Sequence, residues 1–305
     1  MANVFAYASI FQDQLDKQIA ALSTSNWMEG NAGLVQYNGG NTVKIPKITM
    51  DGLANYSRAT GFVAGSSTLS YETMTLSQER GRQFMLDSQD IDETNFVMNA
   101  SVLMSEFQRT QVVPEIDSYR YSKLAQLAIS AGNFRGGYTP AKADIISQIK
   151  ADISKIQDNI GAVPLVITMS TATLTIIESS TELTRQLQVG TMSSGMIDSE
   201  VKMIDECPIV EVPSFRLHTA YTFYDGVTAG QTQGGFIIGG TAKTINWIIS
   251  ASNAPIAISK TDKVRIFTPE QNQDADAFKV DYRKYHDLWV PDNKLASVFV
   301  CTKEA

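Results

Sequence analysis

Chemistry needs titratable or nucleophilic side chains at particular spacings, and this chain offers few of them. Its histidines are His218 and His286, and its cysteines are Cys207 and Cys301. Two thiols so far apart match neither a metal-ligand spacing nor a disulfide framework, and they fit a reducing compartment. His218 stands in "SFRLHTAYTF" and His286 in "YRKYHDLW", neither beside a nucleophile or ligand motif. Both read as strand residues. The acidic group Asp87, Asp90, Asp92 and Glu93 would suit calcium, but it lacks the glycine and closing glutamate of an EF-hand loop. It reads better as the start of a helix, where the helix dipole favours negative charge.

The stretch "GGFIIGGTAKT", Gly234 to Thr244, sets a glycine pair before Lys243 and Thr244. In a phosphate loop the lysine follows the last glycine directly, so that its amine reaches the cradled phosphates. Here Thr241 and Ala242 intervene, and the segment reads as a glycine-flanked strand. No G-x-S-x-G elbow, H-E-x-x-H zinc helix or G-x-G-x-x-G turn occurs. Aspartates are many, but their separations, which paired-carboxylate glycoside chemistry depends on, are not visible in a sequence. No catalytic, cofactor-binding or metal-ligating residue is expected.

The elements that would position such groups are more informative than the groups. The chain has 305 residues, 43% of them apolar, enough for about two domains with real cores. Its net charge of -7, with 25 basic against 32 acidic residues, argues against a dedicated nucleic-acid binder. The first residues carry no basic region and no uninterrupted apolar run, so a signal peptide is not expected. No apolar stretch approaches the roughly 20 residues that span a bilayer. A soluble protein that is not exported is the expectation.

Phe11, Leu15, Ile19 and Leu22 predict a short amphipathic helix over 9–22, followed by a glycine- and asparagine-rich break. Residues 41–87 read as extended. Val43 and Ile45, then Leu69 and Tyr71, Met74 and Leu76, and Phe84 and Leu86 alternate with polar residues around the small, polar stretch "DGLANYSRATGFVAGSS". This is a long hairpin with a loose tip. An isolated ribbon is marginal in water, and no neighbouring segment is evident to receive it, which hints at a partner chain.

Phe96, Ala100, Leu103 and Phe107, and then Ile116, Tyr119, Lys123 and Leu127, trace one helical stripe interrupted by Pro114. Proline removes a donor and clashes with the preceding turn. It also suits the first position of a new helix. One kinked helix and two abutting helices both remain open. Thr139 and Pro140 predict the start of a further helix, with Ile145, Ile149, Ile153, Ile156 and Ile160 as its stripe and Gly161 as its stop. "VPLVITM" predicts a buried strand and "STATLTIIESS" a helix start, which together mark an α/β unit over about 139–250. The tail returns to strands, with Val280 and Tyr282, then Leu288 and Val290, a turn at "PDNK", and "LASVFV" as the return strand.

In this order the parts resemble a tailed-bacteriophage major capsid protein of the Hong Kong 97-type fold, and the likeness runs over nearly the whole chain. Its most specific segments are "QERGRQFMLDSQDIDET", "VVPEIDSYRYSKLA" and "DADAFKVDYRKYHDLWVPDNK". The resemblance implies an α+β fold with an N-terminal arm at 1–40 and an extended loop at 41–91. It also implies a peripheral domain at 92–138 and 251–305, built on a long spine helix, and an axial α/β domain at 139–250. Further, it implies a non-enzymatic protein whose copies form hexamers and pentamers of an icosahedral shell around double-stranded DNA. The shell would be assembled in the cytoplasm of a host bacterium and enclose DNA without gripping it, which an acidic chain permits.

The loop would then lie across a neighbouring subunit. Arg58, Arg80 and Arg82 are candidates for contacts between subunits, and Pro114 for a bend in the spine helix. The resemblance also implies a portal and room for a decoration protein. With about forty residues ahead of the loop, a separate scaffold protein is expected. Lys44 and Lys47 lie near the loop base and no lysine lies at its tip, so covalent crosslinking is not expected. An encapsulin-type bacterial compartment, which shares the fold, and an α/β enzyme built on 139–250 are the alternatives.

Overall fold

The computed structural model of the chain describes residues 22–34, 36–37, 42–87, 100–180, 187–194 and 197–305. The helix expected over 9–22 (apart from Leu22) and the helix start at Asp90 to Glu93 lie outside the described residues.

The largest core surrounds a seven-stranded sheet. Its order is β5 (Phe134–Arg135), β15 (Val298–Thr302), β12 (Ile245–Ala251), β6 (Leu165–Ser170), β9 (Cys207–Val212), β8 (Ile197–Ile204) and β7 (Leu187–Ser194). Every residue of β6, β12 and β15 is buried. Side chains alternate between the faces of a strand, so the sheet is covered on both sides there. The helix Ile145–Ile160, α3, presents Ile145, Ile149, Ile153 and Ile156 to this core. Gly161, at φ +80°, ends it as expected. The short helix Thr171–Glu178, α4, is capped by Ser170, whose Oγ accepts from the Thr173 N–H at 3.2 Å.

Three boundaries differ from the sequence reading. Helix α3 starts at Ile145 rather than at Thr139 and Pro140. A turn precedes it in which the Ile145 N–H bonds the Ala141 carbonyl at 3.1 Å. The Tyr138 N–H is tied to the Thr302 carbonyl, which keeps the chain alongside β15 until the turn.

"LASVFV" does not return on the preceding strand. That strand, β14 (Ala277–Trp289), already lies between β13 (Ile256–Phe267) and β4 (Gln78–Asp87) and has no free edge. The all-buried β15 instead enters the seven-stranded sheet, antiparallel to β12 and parallel to β5. The last strand of the stretch expected in the peripheral domain thus pairs with β12, in the same sheet as β6.

Finally, β4 is not part of the hairpin. It pairs with β14 from Gln78↔His286 to Asp87↔Ala277, and Phe84 there finds the apolar partners that a solvated ribbon would deny it.

The spine helix resolves its alternatives in a third way. The helix Ala100–Phe107, α1, runs through a π turn at Gln108–Val112 straight into α2, Val113–Ser130. Pro114, the second residue of α2, cannot donate, and in an unbroken α-helix its ring would press on the carbonyl four residues back. The π turn makes room. The Val113 N–H bonds the Gln108 carbonyl five residues behind, and Phe107, Val112 and Val113 all keep right-handed helical angles.

Candidate assembly surface

The extended loop is built from β2 (Thr42–Met50) and β3 (Ser67–Thr75), antiparallel from Thr42↔Thr75 to Met50↔Ser67. Only its root is covered. Val43 and Ile45, with Leu76 just past β3, pack on Ile256, Ile258, Tyr285 and Trp289. The ribbon therefore does have a receiving surface within its own chain, contrary to the expectation of none, but only for its first turn of alternation.

Beyond Pro46 the ribbon projects with large apolar groups bare. Met50 is 76% exposed, Leu53 fully and Phe62 90%, and Ile48, Tyr56, Val63, Leu69 and Tyr71 are exposed too. Soluble monomers rarely display such contiguous apolar surface.

The tip is nonetheless organised. Asp51 accepts from the Ser66 N–H at 2.7 Å and its hydroxyl at 2.9 Å, which holds the carboxyl below its ordinary range and closes the two strands. Ser57 and Gly61 bridge, and the Tyr56 and Phe62 rings meet at 4.9 Å. Arg58 sits exposed in this tip.

The root is fixed by a buried carboxylate. Asp287, on β14, is fully buried and accepts from the Ser77 N–H (2.9 Å), the Ser77 hydroxyl (2.8 Å), the Tyr119 hydroxyl (2.7 Å) and the Lys123 ammonium. Loop, spine helix and peripheral sheet thus meet on one side chain. Burial, and then the Asp287 charge, push the Tyr119 phenol up, so it stays a donor.

A second carboxylate secures the root of the arm. Asp117 accepts from the hydroxyls of Ser23, Thr24 and Ser25, the N–H groups of Thr24 and Ser25, and Arg216. Arg120 beside it is buried and pairs with Glu29. Burial raises the Glu29 carboxyl, but Arg120 and Lys284 outweigh this and hold it below its ordinary range. Nothing in residue type or spacing marked Asp117, Arg120, Tyr119 or Asp287 for these roles. The only signal was polarity on the otherwise apolar faces of a helix and a strand.

The arginines part company. Arg80 forms a bidentate pair with Glu115 on the spine helix and donates to the carbonyls of Tyr224 (2.7 Å) and Gly235 (3.2 Å). It braces its own chain. Among the described residues Arg82 reaches only the Thr232 carbonyl, at 3.5 Å. His218 bridges Thr244 and lies by the Tyr221 hydroxyl, and His286 stands in β14, as expected for strand-associated residues. Cys207 and Cys301 are both buried and free, with burial pushing their thiols up to about 11 and about 12. Among the described residues no helix is long and apolar enough to cross a membrane.

Neither the protein-family models nor the curated proteins match this sequence. Solved structures do match it. One, from Mycobacterium phage Che8, is 15% identical and covers 90% of each chain with a TM-score of 0.53. The asymmetric unit of the bacteriophage PhiM1 mature capsid is 10% identical, covering 87% of this chain and 82% of that one with a TM-score of 0.55. This is the Hong Kong 97-type capsid fold. A virus-like particle from Pyrococcus furiosus shares it at 8% identity, over 97% of this chain and 99% of that one, with a TM-score of 0.54. Within the capsid fold, α1 to α2 is the spine helix, and the ribbon of β2 and β3 is the extended loop.

Proposed function

We propose that this chain is the major capsid protein of a tailed bacteriophage. In this reading many copies assemble as hexamers and pentamers into an icosahedral shell that encloses double-stranded DNA, with no enzymatic role. The observation that carries it is the extended loop, rooted by buried groups yet bare and apolar along its outer half. A neighbouring copy covering one such side chain would contribute about 1.5–3 kcal/mol. Virion residence, assembly in a bacterial cytoplasm, a separate scaffold protein, a portal and a decoration protein belong to the same reading, as does a contact of Arg58 with the neighbouring copy. Net charge -7 suits a wall that confines DNA without gripping it.

The test is sedimentation velocity and negative-stain electron microscopy of the chain expressed alone and with the reading frames beside it. Capsomers or closed shells are expected. A compact monomer in both cases overturns the reading. A compartment shell of the encapsulin type is the second reading, to which the match to a virus-like particle from Pyrococcus furiosus lends a shell but no cargo; nucleic acid inside the particles excludes it and an enzyme cargo supports it.

Pro114 has a place in the proposal. The π turn ahead of it begins at Gln108, whose buried amide has no hydrogen-bond partner among the described residues on either polar atom, a costly arrangement. A turn carrying such a group is where the two halves of the spine helix would tilt differently in differently placed copies. Pro114→Ala is expected to relax the turn and change the distribution of particle sizes seen by electron microscopy. Identical particles of identical thermal stability would remove any special role for Pro114.

A further inference from the structure

A cleft of about 540 Å³ opens between β4, the π turn of the spine helix and the loop that follows β10 (Tyr221–Phe223) and leads to β11 (Phe236–Ile238). Its volume lies in the range of small-ligand sites, which pair an apolar lining with a few polar groups. One wall is aromatic. Phe84 and Phe107 meet edge to face at 4.9 Å, and Phe107 and Tyr282 at 5.8 Å.

The charges around it are mostly spent. Arg80 is taken by Glu115, Glu79 by Arg283, and Asp225 by the backbone and hydroxyl of its own turn at Val227 and Thr228. Arg82 is the exception. Among the described residues it forms no ion pair, and its contact to the Thr232 carbonyl at 3.5 Å is at the limit of a hydrogen bond.

Arg82 lies against the loop after β10. A Cβ at Gly226 or Gly234 would come within 3.3 or 3.4 Å of its Nη1, so these glycines, at φ +78° and +69°, let the loop lie directly on the guanidinium. His286 also lines the cleft. It is 3% exposed, and among the described residues its Nδ1 has no hydrogen-bond partner. An arginine with no carboxylate partner and a buried ring nitrogen with no hydrogen-bond partner, both among the described residues, border the same aromatic-walled space.

We propose that this cleft binds a carboxylate carried on an apolar, ring-sized body, with the charge on Arg82 and the body against Phe84, Phe107 and Tyr282. Arginine presents a planar fork matched to a carboxylate. The ligand is either a free small molecule or an acidic side chain beside an aromatic one on another chain. Every group that lines the site belongs to one copy, so binding to the unassembled chain is independent of the shell reading, and only the comparison of the two forms rests on it.

The probe is 4-phenylbutyrate, compared with its neutral analogue 4-phenylbutanol at matched ionic strength, with thermal unfolding of the unassembled chain as the readout. At about tenfold excess over its Kd, the carboxylate is expected to raise Tm by about 2–4 °C, and the alcohol by much less. Arg82→Gln should abolish the difference, while Arg265→Gln, opposite Asp281 on the other face of the same sheet, should keep it. Equal shifts from acid and alcohol, or an undiminished acid shift in Arg82→Gln, overturn the proposal. Should Arg82→Gln fail to fold, Arg82→Lys serves, with the acid shift expected to fall but not vanish. Repeating the titration on the assembled form separates the sources. A response in both forms marks a free ligand, and a response in the unassembled chain alone marks a neighbour's side chain already seated there.

Discussion

The root and the outer half of the extended loop are one ribbon treated in two ways. At the root, residues alternate between buried and exposed, Val43 and Ile45 enter a core, and Asp287 on the sheet gathers hydrogen bonds from the loop and the spine helix. A few residues on, both faces are open and Met50, Leu53 and Phe62 meet solvent. The root answers to the stability of a single chain. The outer half has no such account, and its composition makes sense only against a surface it does not contain.

The sharpest way to break this contrast is to remove the root carboxylate. Asp287→Ala takes the carboxylate from the part-buried Lys123 and the shared acceptor from Ser77 and Tyr119, and it is expected to cost about 3–5 kcal/mol in urea unfolding of the unassembled chain. A loss below 1 kcal/mol would show that the root is not what holds the loop.

Next in size is the acid response of His286, which packs edge to face on Tyr119. Burial, with Arg120, Lys284, Lys123 and Arg80 nearby, holds its pKa well below 6.5. Below that value the unfolded chain takes up a proton that the folded chain refuses. Stability is therefore full above pH 6.5 and falls as pH drops, by up to about 1.4 kcal/mol per unit. Denaturant midpoints between pH 5 and 7 check this, and His286→Gln should flatten the profile.

The smallest effect on the chain's own stability belongs to the tip. Leu53→Ser with Phe62→Ser should move the unfolding of the unassembled chain by no more than about 0.5 kcal/mol, yet sharply cut the yield of particles. If the pair destabilised the single chain as much as Asp287→Ala does, the contrast between root and tip would be lost.

Much of the fold was legible in the sequence because it rests on periodicity. The isoleucine stripe of α3, its glycine stop, the buried strand "VPLVITM" and the glycine-flanked "FII" are local patterns, each satisfied within its own segment. The arginine pair was legible only as a pair. Two residues apart on β4, Arg80 and Arg82 look alike in sequence, and their fates diverge because the loop after β10 offers two carbonyls to one and little to the other.

The sequence by itself determined the isoleucine-striped helix, the buried strand "VPLVITM" and the extended ribbon, that Pro114 must disturb the spine, and that the ribbon carries more apolar surface than it can bury alone. Only the tertiary structure decided that the disturbance is a π turn inside an unbroken helix. It alone decided, too, that β4 and β15 leave their sequence neighbours for other sheets, and that Asp117 and Asp287 bind the arm and the loop to the spine. The reason is physical. A period of 2 or 3.6 is written into every few residues, whereas a sheet edge's free partner or a buried carboxylate's donors come from segments up to 210 residues away and exist only once the chain has closed on itself.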